Sequence, residues 1–73
     1  MATHHVRVLM TAGDQAELVT PMHPASAPLR VPAERIARQA GLPANELPGR
    51  EFTVTHLGAD DADGFHLVND PRL

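Results

Sequence analysis

The stretch LRVPAERIARQAGL, residues 29 to 42, decides the fold class of this 73-residue chain. Leu29, Arg30 and Val31 read as a short extended piece, and the proline behind Val31 pushes it toward β geometry. Pro32 suits the first position of a helix, where its missing N–H costs nothing. From there Ala33, Ile36, Ala37 and Ala40 recur at i, i+3, i+4 and i+7, the apolar stripe of an amphipathic helix. Gly41 ends the helix and Pro43 reinforces the stop. A stripe made mostly of alanines predicts close approach to a sheet rather than deep insertion.

Upstream, HHVRVLMTAGDQAELVT reads as a hairpin. Val6, Val8 and Met10 alternate with Arg7, Leu9 and Thr11, and Gly13-Asp14 supplies a tight turn before Leu18 and Val19. PMHPASAP holds three prolines in eight residues, which keeps it out of a central strand and predicts a loop or edge crossing. Downstream of the helix, a Pro48-Gly49 turn leads into a strand in which Phe52 and Val54 alternate with Thr53 and Thr55. GADDADG is a polar loop and FHLV a closing strand. The order is ββ, a short extended piece, α, ββ: one α+β domain spanning residues 1 to 73, a small, mostly antiparallel sheet or barrel with one short helix.

Composition sets the constraints on that fold. A chain of this length buries only about 60% of the surface its unfolded form exposes. With no Trp, no Tyr, no Cys and only Phe52 and Phe65 as aromatic residues, large core fillers and disulfides are both missing. Oligomerisation is the remaining way to complete an interior, so a homodimer is expected. No charged segment precedes an apolar one at the N-terminus, and no apolar run approaches the roughly 20 residues that cross a bilayer. The expected setting is therefore soluble and cytoplasmic, with no membrane partner. The net charge of −3 argues against a general nucleic-acid binder, although residues 30 to 50 hold Arg30, Arg35, Arg38 and Arg50 against only Glu34 and Glu46.

LRVPAERIARQAGL, followed by LPGREFTVTHLGADDADGFHLV, resembles the swapped-hairpin family of AbrB-type transition regulators and MazE-type antitoxins over residues 26 to 70. The features that carry the resemblance are Arg30, Val31, Pro32, Gly41-Leu42, Pro48-Gly49 and the hairpin from Phe52 to Val68. Two features depart from the family pattern: the long PANELP step with Arg50 after Gly49, and the extra hairpin in the first 28 residues. The resemblance implies an intertwined homodimer in which strands of two chains share one barrel, with DNA held by arginines. Arg30 best matches a family DNA contact.

Two functional readings follow. In the first, a small dimeric DNA-binding transcriptional regulator or antitoxin-like protein grips the duplex with Arg30, helped by Arg7, Arg35, Arg38 and Arg50. Its partners are DNA, a second copy of itself and, for an antitoxin, a toxin. Against this, Glu34 and Arg38 stand at i,i+4 and can pair on a solvated face, and a charge on an edge strand also deters aggregation. In the second reading, an acidic interaction module, an accessory subunit or inhibitor, binds a basic protein surface or a larger complex through Asp60, Asp61, Asp63 and Asp70. No enzyme is expected: Ser26, the one serine, lies in a proline-rich loop, and Cys and Lys are absent.

No cofactor is expected either. Asp61, Asp63, Gly64 and Asp70 match positions three, five, six and twelve of a calcium loop, but Ala59 removes the first ligand. His56 and His66 could lie opposite each other in the last hairpin and share a metal. The hydrophobic pattern favours the other register, with His56 opposite Phe65 and the two imidazoles on opposite faces.

Overall fold

The computed structural model describes residues 3 to 68. In chain order the elements are β1 His4–Ala12, β2 Gln15–Val19, β3 Leu29–Pro32, helix α1 Ala33–Ala40, a single 3-10 turn Ala44–Glu46, and β4 Glu51–Val54. Three two-residue strands follow: β5 His56–Leu57, β6 Ala62–Asp63 and β7 His66–Leu67. Five strands form one antiparallel sheet in the order β3-β2-β1-β4-β7, and β5 pairs with β6 in a small second ribbon. The chain is thus a small α+β domain with a mostly antiparallel sheet and one helix.

Helix α1 covers one face of the sheet, packing against β2, β3 and β7. The domain is accordingly flat, 32 × 31 × 16 Å. Between the layers lie Val6, Val8, Ala16, Leu18, Leu29, Val31, Ala33, Ile36, Ala40, Leu47, Phe52, Val54, Ala62 and Phe65, all buried within a single chain. Phe52 and Phe65 meet edge to face, 6.2 Å between centroids at 85°, the arrangement that ring quadrupoles favour. The two aromatic residues are therefore concentrated at one point in the core. The other face of the sheet has no covering layer among the described residues.

Four local expectations change. Pro32 is not the first helical residue; it ends β3 with ψ 127° and sits at the N-cap, so the helix begins one residue later. Its neighbour Ala33 donates its N–H to Asp14 O at 2.9 Å, so the β1–β2 turn caps the helix start in place of a side chain. Gly41, at φ 72°, closes the helix in the left-handed conformation as expected. The alternation of β1 does not run through: pairing with β2 slips between Val8 and Met10. This bulge at Leu9 turns Met10 outward and puts half-buried Thr11 opposite buried Ala16.

The PANELP segment, which the sequence left without structure, is the 3-10 turn, and Leu47 behind it is fully buried. Finally, the closing hairpin is not two continuous strands. Phe52 pairs with Leu67 and Thr53 with His66, but His56 pairs with Asp63 in the separate ribbon. Neither expected histidine register occurs. The break comes at Thr55, whose N–H donates to Asp63 O at 3.1 Å, and at Gly64, whose φ is 74°.

Candidate functional site

The five arginines singled out in the sequence do not converge. Arg7 on β1 and Arg30 on β3 point to the uncovered face of the sheet, because their strand neighbours Val6, Val8, Leu29 and Val31 point inward. Arg35 and Arg38 lie on α1, in the opposite layer, and Arg50 precedes β4. Four of them are engaged by carboxylates. Arg30 Nε is 3.5 Å from Glu17, Arg38 3.1 Å from Glu34, and Arg50 3.7 Å from Glu46. These three pairs are exposed on the arginine side, where such pairs contribute little to stability. Among the described residues, Arg7 has no carboxylate within 4 Å.

Arg35 is different. Its Nη1 donates to Asp61 Oδ1 at 2.6 Å and to Ala62 O at 3.0 Å. One turn on, Gln39 donates to Asp63 Oδ1 at 2.7 Å and accepts the Phe65 N–H at 2.8 Å. Residues 35 and 39 stand at i,i+4 on one helix face, and together they strap the β5–β6 ribbon to the helix. Arg35 is thus a structural tether rather than a free phosphate grip. Asp61 and Asp63 are engaged by the same strap, which leaves Asp60 as the freely exposed member of the acidic loop; Asp70 lies outside the described residues. The Gln39 amide holds the Asp63 carboxyl below its ordinary value, with the Gly64 N–H second and the charges of Arg35 and His56 adding to it against a desolvation cost. Gln39 carried no signal in the sequence, because a glutamine on a polar helix face looks like any solvated residue.

A second tether ties the β2 end to the same loop. His23 Nε2 lies 2.7 Å from Ala59 O, and its Nδ1 lies 2.8 Å from the hydroxyl of buried Thr20, which also accepts the Met22 N–H at 3.0 Å. A carbonyl can only accept, so the proton is on Nε2, and in the neutral ring Nδ1 accepts from Thr20. This contact carries the chain out of the sheet at Thr20.

His56 and His66 are in different sheets, opposite Asp63 and Thr53 respectively. Among the described residues no three His, Cys, Asp or Glu side chains come together as a metal site would require. What does come together is on the uncovered face. The bulge places Leu9 and Met10 there, 38% and 47% exposed, beside half-buried Val19. Glu17 pairs in register with both Met10 and Arg30, and Arg7 pairs with Val19 and Glu51. The face therefore has an apolar centre and a rim of both charge signs. Beside it, where β2 ends, a groove of about 370 Å3 is lined by His5, Val6, Arg7, Val19, Thr20 and Glu51.

A flat antiparallel sheet with one covered and one bare face defines an α+β class that many unrelated functions share. No protein-family model, no curated protein and no solved structure matches the chain. None of the helices is long and apolar enough to cross a membrane, among the described residues.

Proposed function

We propose that this chain is a small protein-binding module that works through the uncovered face of its sheet. The observation that carries the reading is the outward turn at the Val8–Met10 bulge, which exposes Leu9 and Met10 at the middle of that face. Exposed apolar side chains ringed by polar ones are the usual layout of an interaction surface. The acidic-module reading keeps its class and changes its surface: Asp61 and Asp63 are occupied by Arg35 and Gln39, so the loop offers less to a partner than the sheet does.

The test is site-specific photo-crosslinking in the native host, with a photoreactive residue at Met10, at Asp60 or at Arg38. The Met10 position should yield a protein adduct of defined mass, and Met10→Asp at an unchanged unfolding temperature should abolish complex formation. Adducts formed only from Asp60 or Arg38 refute the reading. Light scattering across a dilution series tells whether the partner is a second copy of the chain, the homodimer that its composition leads one to expect.

A second reading, the dimeric DNA-binding regulator or antitoxin-like protein, is favoured by one observation: Arg7 and Arg30 share the uncovered face. A β-sheet can place such residues in a groove of the duplex. Here a gel shift at low salt should be weakened by raised salt and by Arg7→Ala; no shift at low salt rules it out.

A further inference from the structure

The groove where β2 ends contains an open stretch of strand edge. Val8 donates its N–H to Arg50 O at 3.0 Å and accepts the Gly49 N–H at 2.8 Å, so its peptide groups face β4. Peptide direction alternates along a strand. Val6 and His4 therefore face β4 as well, while Arg7 and His5 face the β2 side. The neighbouring strand agrees: Glu51, opposite Arg7, turns its carbonyl away from β1 to accept the Val68 N–H at 3.0 Å.

Arg7 meets Val19, the last residue of β2. The register would next bring Pro21 opposite His5, and proline has no N–H to give. Instead the chain leaves the sheet, with Thr20 and His23 exchanging backbone hydrogen bonds of 2.9 and 3.2 Å and His23 anchored to Ala59. No described residue hydrogen-bonds the His5 backbone from that side. The vacated slot opens into the groove lined by His5, Val6, Arg7, Val19, Thr20 and Glu51, which continues across the outer face of β1. Within it Glu51 is held 3.4 Å from His5 Nε2, and the guanidinium of Arg7, although opposite Glu51 in register, has no carboxylate within 4 Å among the described residues.

We propose that this slot binds an extended acidic segment of a partner protein, which adds to β1 in line with β2. The inference rests on the reading of the uncovered face as a protein-binding surface, and it names what the partner contributes. A residue of the segment opposite His5 exchanges two backbone hydrogen bonds with it, giving affinity without regard to sequence. Its side chain lies on the same face as His5, within the diagonal reach of Arg7. A carboxylate there gains a charged partner; a cation meets Arg7 and is rejected. Val19 fills the slot on one side, so the segment enters with its N-terminal end toward β2.

The test uses acetyl-Val-Glu-Val-Glu-Val-amide as the probe and amide chemical shifts of the whole chain as the readout. In the free protein the His5 amide should exchange rapidly with solvent. Adding peptide should shift His5, Arg7, Val19 and Thr20 and slow His5 exchange. Replacing both glutamates by glutamine, or Arg7 by Ala, should each weaken binding roughly threefold, and N-methylation of both glutamates should abolish it. Slow His5 exchange in the free protein, shifts confined to other residues, no shifts at all, or an affinity indifferent to Arg7→Ala would each overturn the proposal. Met10→Asp should leave this titration intact. A failed titration beside a successful Met10 crosslink therefore removes the slot and spares the face.

Discussion

Gly64 is the position where a single added methyl should cost the most for its size. Its φ of 74° is left-handed, which costs an alanine about 1–2 kcal/mol. A Cβ there would also run into the Thr55 hydroxyl and come within 3.1 Å of Thr55 Cβ and 3.3 Å of Thr55 N. Rotating Thr55 about χ1 moves the hydroxyl but neither of the other two atoms, so overpacking adds about 1–3 kcal/mol. The total for Gly64→Ala is about 2–5 kcal/mol, at about 4–8 °C of unfolding temperature per kcal/mol in a domain of this size. Gly13 is the internal control, because its φ of 62° is equally left-handed while nothing lies within 4 Å of its Cβ position. Gly13→Ala should therefore cost only the backbone part, about 1–2 kcal/mol. Chemical denaturation of both variants reads the difference directly. A Thr55→Ala background removes only the hydroxyl and leaves Thr55 Cβ and N in place, so most of the excess at Gly64 should persist there, which a double-mutant cycle measures. Equal costs at Gly13 and Gly64 would refute the close approach on which the broken hairpin depends.

Other substitutions test the remaining features. Leu47→Ala, which empties a fully buried position behind the 3-10 turn, should cost about 2–5 kcal/mol in denaturant titrations. Met10→Asp should stay within about 0.5 kcal/mol of the parent, as surface changes do; a severe loss would mean that the bulge does not turn this side chain outward. The Asp63 carboxyl is held below its ordinary value of 3.8 in the folded chain. Its contribution is therefore fully present above that value and is lost as pH falls through the lower, folded one. Unfolding midpoints of the parent should fall more steeply between about pH 5 and about pH 3 than those of Asp63→Asn or Gln39→Ala. Parallel profiles would show that the strap does not favour the charged form.

The helix and its flanks were legible because local chemistry dictates them. Pro32, the 3.6-residue stripe and Gly41 each act within a few residues, so the helix was misplaced by only one position. The β1–β2 and β4 strands were legible from alternation for the same reason. What alternation cannot register is a change of its own phase. The bulge at Leu9 leaves Val6, Val8 and Met10 looking like one continuous inward row, and only the partner strand shows that Met10 has changed sides. The broken hairpin was hidden likewise, since a Gly64 in a polar loop does not announce that Thr55 will be its neighbour. Among the arginines, residue type and spacing gave the right inventory of charge. They could not show that Arg35 would find Asp61 twenty-six positions away, a pairing that exists only once the ribbon folds back on the helix.

The sheet also has a seam. β1, β2 and β3 are joined by short-range pairings, whereas β1 meets β4 through contacts such as His4 with Val54 and Val6 with Phe52. Closing that seam means gathering the helix and both flanking loops first, an entropic cost that local contacts cannot repay until the edges meet. During synthesis the three-strand meander emerges from the ribosome complete while its β4-side margin stands bare. That margin is at greatest risk of adhesion to other chains in the interval before Phe52 and Val54 pair with it.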